Sequence, residues 1–125
     1  MHRHEEITVL EASRGLARYR IVDVRQPEEF TGELGHIAGS LLLPLGELIE
    51  RLERGHEPGD VFASDTDEAY LLVCRSGNRS GQACARLAEA GVPRVLNLLG
   101  GMLEWNRLGL PVVRLAEDVD AERTG

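Results

Sequence analysis

Residues 70–91 read YLLVCRSGNRSGQACARLAEAG, and the succession of textures within them decides the fold. An apolar run stops at Cys74, crosses a short turn holding Gly77 and two arginines, Arg75 and Arg79, and goes on as a helix with apolar residues three and four apart. Strand, tight turn and helix in direct succession is the unit of a parallel sheet, because a crossover must carry the chain back to the start of the next strand. Outward from this stretch, AYLLVC (69–74) is matched by three more short apolar runs, RIVDV (20–24), SLLLPL (40–45) and RVLNLL (94–99). Helical spacing covers about 9–17, 27–31, 45–54, 79–90 and 101–108. The expectation is an α/β fold with a mostly parallel sheet of four strands and helices on both faces.

The chain has 125 residues, which fits one domain over 1–125, with its core in about 7–113 and an acidic tail from about 114 to 125. RGHEPGDVFASDTDE (54–68) reads as an irregular surface loop. Apolar residues make up 42% and charged residues 28%, the balance of a globular protein that folds alone. The net charge of −7 argues against nucleic acid and anionic membrane as partners, since both are bound through surplus positive charge. No window reaches the roughly 18 apolar residues of a membrane helix, and MHRHEEITVLEASRG (1–15) lacks the apolar core of a secretory signal, so a cytoplasmic location is expected. Two cysteines make no disulfide framework, which leaves at least one free for reactivity.

The site follows from where Cys74 falls. Ligands of open α/β sheets sit beyond the carboxyl ends of the strands, where a strand-to-helix turn aims several backbone N–H groups at one point. Those dipoles and nearby arginines favour a thiolate over a thiol, and lower the usual thiol pKa of about 8.5. Gly77 supplies the tight turn that such a cradle needs. The loop contains no His, Asp or Glu to serve as general base, which acyl transfer wants and sulfur transfer does not. A thiolate that attacks sulfane sulfur expels a good anionic leaving group, and donors around the turn stabilise the persulfide left behind.

DVRQPEEFTGELGHIAGSLLLPL (23–45), CRSGNRS (74–80) and NLLGGMLEWNRLGLPV (97–112), in this order, resemble the single-domain rhodaneses, or thiosulfate sulfurtransferases. The resemblance spans about residues 7–113. It implies that Cys74 carries the sulfur, that Arg75, Ser76, Gly77, Asn78 and Arg79 cradle it, and that Arg75 and Arg79 meet the anionic donor. It further implies thiosulfate or a persulfide as donor, with cyanide, low-molecular-weight thiols or a thioredoxin-like protein as acceptor, and no metal or cofactor. Ala38 departs from the proline usual after the GHI of Gly35–Ile37, and, set against the resemblance, an insertion separates GEL from the strand of Cys74.

Other readings stand beside these. Cys74 could be a small buried hydrophobe, and Arg75 and Arg79 solvated surface charges. Asp23 and Arg25 follow a strand and pair to fix local structure, with a contribution to the field at the site left open. Cys84 shares a stripe with Ser80, Ala83, Leu87 and Ala88, which suits packing more than a resolving thiol. His36 reads as structural and Trp105 as core. His2 and His4 could pair on a metal, against the commoner case of loose terminal histidines. Two rival functions remain: a persulfide carrier or binding module for a protein partner, and a phosphatase or arsenate reductase. The latter needs an arginine six positions after the cysteine, whereas Arg79 stands five positions on.

Overall fold

A computed structural model describes residues 4–54, 62 and 68–115. Among them five strands alternate with helices: β1 (Glu5–Thr8), α1 (Val9–Ser13), β2 (Tyr19–Asp23), α2 (Pro27–Phe30), β3 (Leu41–Leu42), α3 (Leu45–Glu53), β4 (Ala69–Val73), α4 (Asn78–Glu89), β5 (Val95–Leu99) and α5 (Gly101–Arg107). The sheet runs β1-β5-β4-β2-β3 and every pairing is parallel.

Parity along β4 explains how both faces are filled. Ala69, Leu71 and Val73 join a cluster with Val9 and Ala12 of α1 and Met102 and Trp105 of α5. Tyr70, Leu72 and Cys74 point the other way, into a cluster with Leu48 of α3 and Ala83, Cys84 and Leu87 of α4. A central strand buried on both sides reads as a continuous apolar run, the pattern that YLLV presents. Cys74 extends this parity, so its side chain leaves the strand on the α4 face.

The sheet has five strands, not four. The extra strand, β1, buries only Ile7 of its four residues and pairs on one side only, so an alternating pattern has no room to develop in the sequence. SLLLPL yields just Leu41–Leu42, and Pro44, which has no N–H for a ladder, precedes α3. The helix expected over 9–17 ends at Ser13; Thr8 caps its start by accepting from the Glu11 N–H at 3.2 Å, and beyond Gly15 a separate 3-10 turn covers Leu16–Arg18. Of the stretch 54–68, Phe62 is buried edge-on against Tyr70 at 4.9 Å, so this residue contributes to the core. Residues 55–61 and 63–67, most of the acidic tail (116–125) and His2 lie outside the described residues. No helix among the described residues is long and apolar enough to cross a membrane.

Candidate active site

Cys74 follows directly on β4, which has β5 on one side and β2 on the other, so the turns after three strands surround it. The loop that follows is folded by two sets of constraints. Gly77 adopts φ +106° at the start of α4, and a Cβ there would stand 3.4 Å from the Gly100 nitrogen and 3.5 Å from the Leu98 carbonyl oxygen. On the other side, α5 receives the loop's carbonyls: Met102 N–H donates to Cys74 O at 2.9 Å and Leu103 N–H to Arg75 O at 3.0 Å. In a trans peptide the carbonyl and the next N–H point in opposite directions, so carbonyls tied outward to α5 turn the following N–H groups inward.

The result is a sulfur surrounded by donors. Gly77 N–H lies 3.1 Å from Cys74 Sγ and the Ser80 hydroxyl oxygen 3.2 Å. Burial, with Cys74 only 1% exposed, pushes the thiol up; hydrogen bonds from the Ser80 side chain and from the Ser80, Gly77 and Ser76 N–H groups outweigh it, and the thiol ends below its ordinary value. Cys84, on α4, has no such donors among the described residues. Burial, followed by the charges of Glu6 and Cys74, pushes its thiol up to about 12. It is fully buried and packs in the α3/α4 cluster.

The two arginines of the loop differ. Arg79 turns to α2 and grips the Glu29 carboxylate with both terminal nitrogens, at 2.8 and 2.9 Å. That contact holds Glu29 down to about 2. The Arg79 guanidinium feels the Cys74 charge, but its hydrogen bonds are directed to a carboxylate. Arg75 is exposed and makes no ion pair with a described residue; it lines a cavity of about 390 Å³ with Arg25, Glu28, Glu29, Glu33 and Leu103. Ser76 and Asn78 are exposed. A larger cavity, about 500 Å³, lies at the other end of the sheet between Tyr19, Leu41 and Tyr70, away from the cysteine.

Asp23 and Arg25 form a fully buried pair, bonded at 2.8 and 2.9 Å, and Arg25 also donates to the Gly35 carbonyl at 2.7 Å. Such a pair fixes the course of the chain after β2 and the placement of α2, whose Glu29 meets Arg79. His36 stacks on Phe30 at 3.5 Å with Nδ1 2.7 Å from the Phe30 carbonyl oxygen, and Trp105 is buried with its Nε1–H on Pro111 O at 2.9 Å.

Four contributors escaped the sequence reading. Ser80 reads as a packing residue, which its burial satisfies, yet its hydroxyl reaches the sulfur. Asn97, in the middle of β5, joins Ser80, Gly77 and Glu6 through its amide. Glu29 and Gly101 come from the two flanking motifs. A polar residue inside an apolar strand, as in VLNLL, and a double glycine before a helix were the available signals.

The rhodanese-like domain family matches residues 8–108. The chain is 41% identical over 93 residues to a sulfurtransferase of Allochromatium vinosum, a match covering 74% of this chain and 77% of that protein. It is 36% identical over 85 residues to the putative sulfur carrier protein YrkF of Bacillus subtilis, covering 68% of this chain and 40% of that one, and it spans 46% of a Synechocystis protein matched at 39% identity over 94 residues. Among solved structures, a rhodanese-related protein of Thermoplasma volcanium superposes with a TM-score of 0.72 at 29% identity, over 90% of this chain and 100% of that one.

Proposed function

Because this chain belongs to the rhodanese-like sulfurtransferase family, we propose that it moves sulfane sulfur through a persulfide on Cys74. The observation that carries this reading is the ring of donors around Sγ: Gly77 N–H and Ser80 O–H at 3.1 and 3.2 Å, with no imidazole or carboxylate of a described residue bonded to the sulfur. The thiolate that these donors favour attacks the outer sulfur of thiosulfate or of an organic persulfide. One S–S bond forms, the donor's S–S bond breaks, and the electron pair leaves with sulfite or a thiolate. A cyanide, thiol or thioredoxin-like acceptor then attacks the outer sulfur and returns the pair to Sγ. No proton transfer to a general base is required at either step, which matches a loop without one. Phosphoryl transfer fits less well: Arg79 stands five positions after Cys74 and is committed to Glu29, so no guanidinium encloses the volume a tetrahedral oxyanion would fill.

A second reading, a persulfide carrier that serves a protein partner, is favoured by the acidic rim. Glu28, Glu29 and Glu33 share the cavity beside the loop with Arg75. With Arg79 paired to Glu29 and Arg25 to Asp23, Arg75 is the arginine left to meet a dianionic donor there, a poor match for thiosulfate and a better one for a singly charged persulfide presented by a partner. The test for both is mass spectrometry after incubation with thiosulfate and, separately, with a glutathione persulfide. One extra sulfur on Cys74 is expected, lost on addition of cyanide and absent in Cys74→Ser, which keeps the fold because the hydroxyl nearly matches the thiol in volume. Steady turnover with small acceptors marks an enzyme, and stable loading without turnover marks a carrier. A Cys74→Ser protein that still transfers sulfur would sink the proposal.

A further inference from the structure

Asn97 projects from β5 into the gap between β1, the Cys74 loop and α4, and the orientation of its amide is decided by its neighbours. Its Nδ2 lies 2.9 Å from Glu6 Oε2 and 3.1 Å from Gly77 O. A carboxylate and a carbonyl only accept, so both amide hydrogens are used there; the flipped amide would set oxygen against oxygen twice. Oδ1 therefore faces Ser80 Oγ, 2.5 Å away. Ser80 Oγ is also 3.2 Å from Cys74 Sγ. A hydroxyl has one proton, and here it has two acceptors. If the proton points to Asn97, lone pairs face the sulfur, an arrangement that suits a neutral sulfur or an S–H that donates to Oγ. When the proton points to the sulfur, it suits a thiolate.

We propose that Asn97 is a positioning residue that holds the Ser80 proton whenever Cys74 Sγ is neutral and yields it to Sγ when that sulfur carries negative charge. The inference rests on the sulfur-transfer reading for its use in turnover, where Sγ loses its charge as the S–S bond to it forms and regains it when the acceptor breaks that bond. Ser80 rotates with the charge, and Asn97 keeps the hydroxyl partnered in the persulfide state, so that no buried donor is left unsatisfied between the two half-reactions. The charged or titratable groups on the elements packed around the sulfur are Arg75 in the loop, Arg79 and Cys84 on α4, Glu29 of α2 bonded to Arg79, the Asp23–Arg25 pair after β2, and Glu6 of β1 bonded to Asn97. None of them is itself substituted in the variants below; Asn97→Ala also frees Glu6 Oε2 from its 2.9 Å bond, and the alanine-80 background, where that release acts without the Ser80 hydroxyl, is the control for it.

The test is the pH dependence of Cys74 alkylation by iodoacetamide, with the label located by peptide mass mapping, in the unmodified protein, Ser80→Ala, Asn97→Ala and the double variant. Ser80→Ala removes a donor to the thiolate and is expected to raise the midpoint by about one pH unit. Asn97→Ala releases the Ser80 proton to the sulfur and is expected to lower the midpoint by about half a unit in the Ser80 protein, with no effect when residue 80 is alanine. Gly77 O keeps its bond from Gly81 N–H at 3.1 Å, so the loop stays held without the amide. Should Asn97→Ala fail to fold, Asn97→Leu preserves the volume and serves the same comparison. A rise of the midpoint by equal amounts in both backgrounds would make Asn97 only a tether of the loop and overturn the proposal, as would a Ser80→Ala midpoint that does not move. Alkylation needs no sulfur donor, so a protein that follows this pattern yet never loads sulfur would refute the function proposed above and leave the hydrogen-bond switch standing.

Discussion

Cys74 and Cys84 are 1% and 0% exposed, so burial alone raises both thiols. Only Cys74 has donors aimed at it, and they reverse the sign. Cys84, at about 12, is held as a thiol by its surroundings. Its folded value is raised above that of the unfolded chain, so the stability it lends is complete below the ordinary thiol value of about 8.5 and declines as pH rises toward about 12. Cys84→Ala should therefore flatten the alkaline fall in stability, at a cost on the order of 1 kcal/mol near neutral pH for the smaller side chain, and leave sulfur transfer nearly intact. Urea denaturation at neutral pH and again above pH 9 reads both effects. A steep loss of turnover in this variant would instead mark Cys84 as a resolving thiol.

The loop after Cys74 is shaped by three elements that it does not belong to. From α2 comes Glu29 for Arg79, from β5 the Asn97 amide for Gly77 and Ser80, and from α5 two N–H groups for the carbonyls of Cys74 and Arg75. The α5 contact leaves no room for a side chain at its first residue. Gly101 has φ +55°, and a Cβ on it would overlap the Cys74 carbonyl oxygen and stand 2.6 Å from Arg75 O. Gly101→Ala must push α5 off the loop and disturb the inward N–H groups, and a displacement near 1 Å costs about 100-fold in rate. Gly109→Ala is the control: its φ is +72°, but a Cβ there meets nothing within 4 Å, so it carries backbone strain of about 1 kcal/mol without touching the loop. Sulfur-transfer rate and thermal unfolding, measured on both, should separate a rate loss specific to Gly101 from a stability loss common to the pair. Equal rates in the two variants would show that the α5 contact does not shape the cradle.

Over the whole molecule the charge is −7, and Glu28 and Glu33 place part of it on the side of the candidate site that holds α2. A dianionic donor approaches against it, and Arg75 is the local counterweight. Thiosulfate transfer should therefore show a kcat/KM that rises with salt between about 0.01 and 0.15 M, as the Debye length shrinks from about 30 to 8 Å. The double change Glu28→Gln, Glu33→Gln should raise kcat/KM at low salt and weaken that dependence. Arg75→Ala should raise KM for thiosulfate by an amount corresponding to about 1.5–3 kcal/mol, and affect a singly charged persulfide less. A salt response that is flat for thiosulfate, or equal for both donors, would show that the rim does not act through its charge.

A continuous apolar run along YLLVC, an abrupt turn and a helix of three-and-four spacing are properties of neighbouring residues, so the sequence determined by itself that a parallel α/β sheet forms and that Cys74 stands at the junction of strand and helix. The spacing of the three motifs likewise sufficed for the family. The edge strand β1 did not emerge, because one buried residue in four makes no pattern. Nor did the partners of the loop: Arg79 reads as an anion contact until α2 brings Glu29 to it, and Ser80 reads as packing until β5 brings Asn97 beside it, 50 and 17 residues away in the chain. Those meetings depend on the strand order β1-β5-β4-β2-β3, which sets the neighbours of β4. Local pattern records which face a residue buries; only the folded sheet decides which distant donor, acceptor or charge it finds there, and that choice turns the Cys74 thiol downward against its burial.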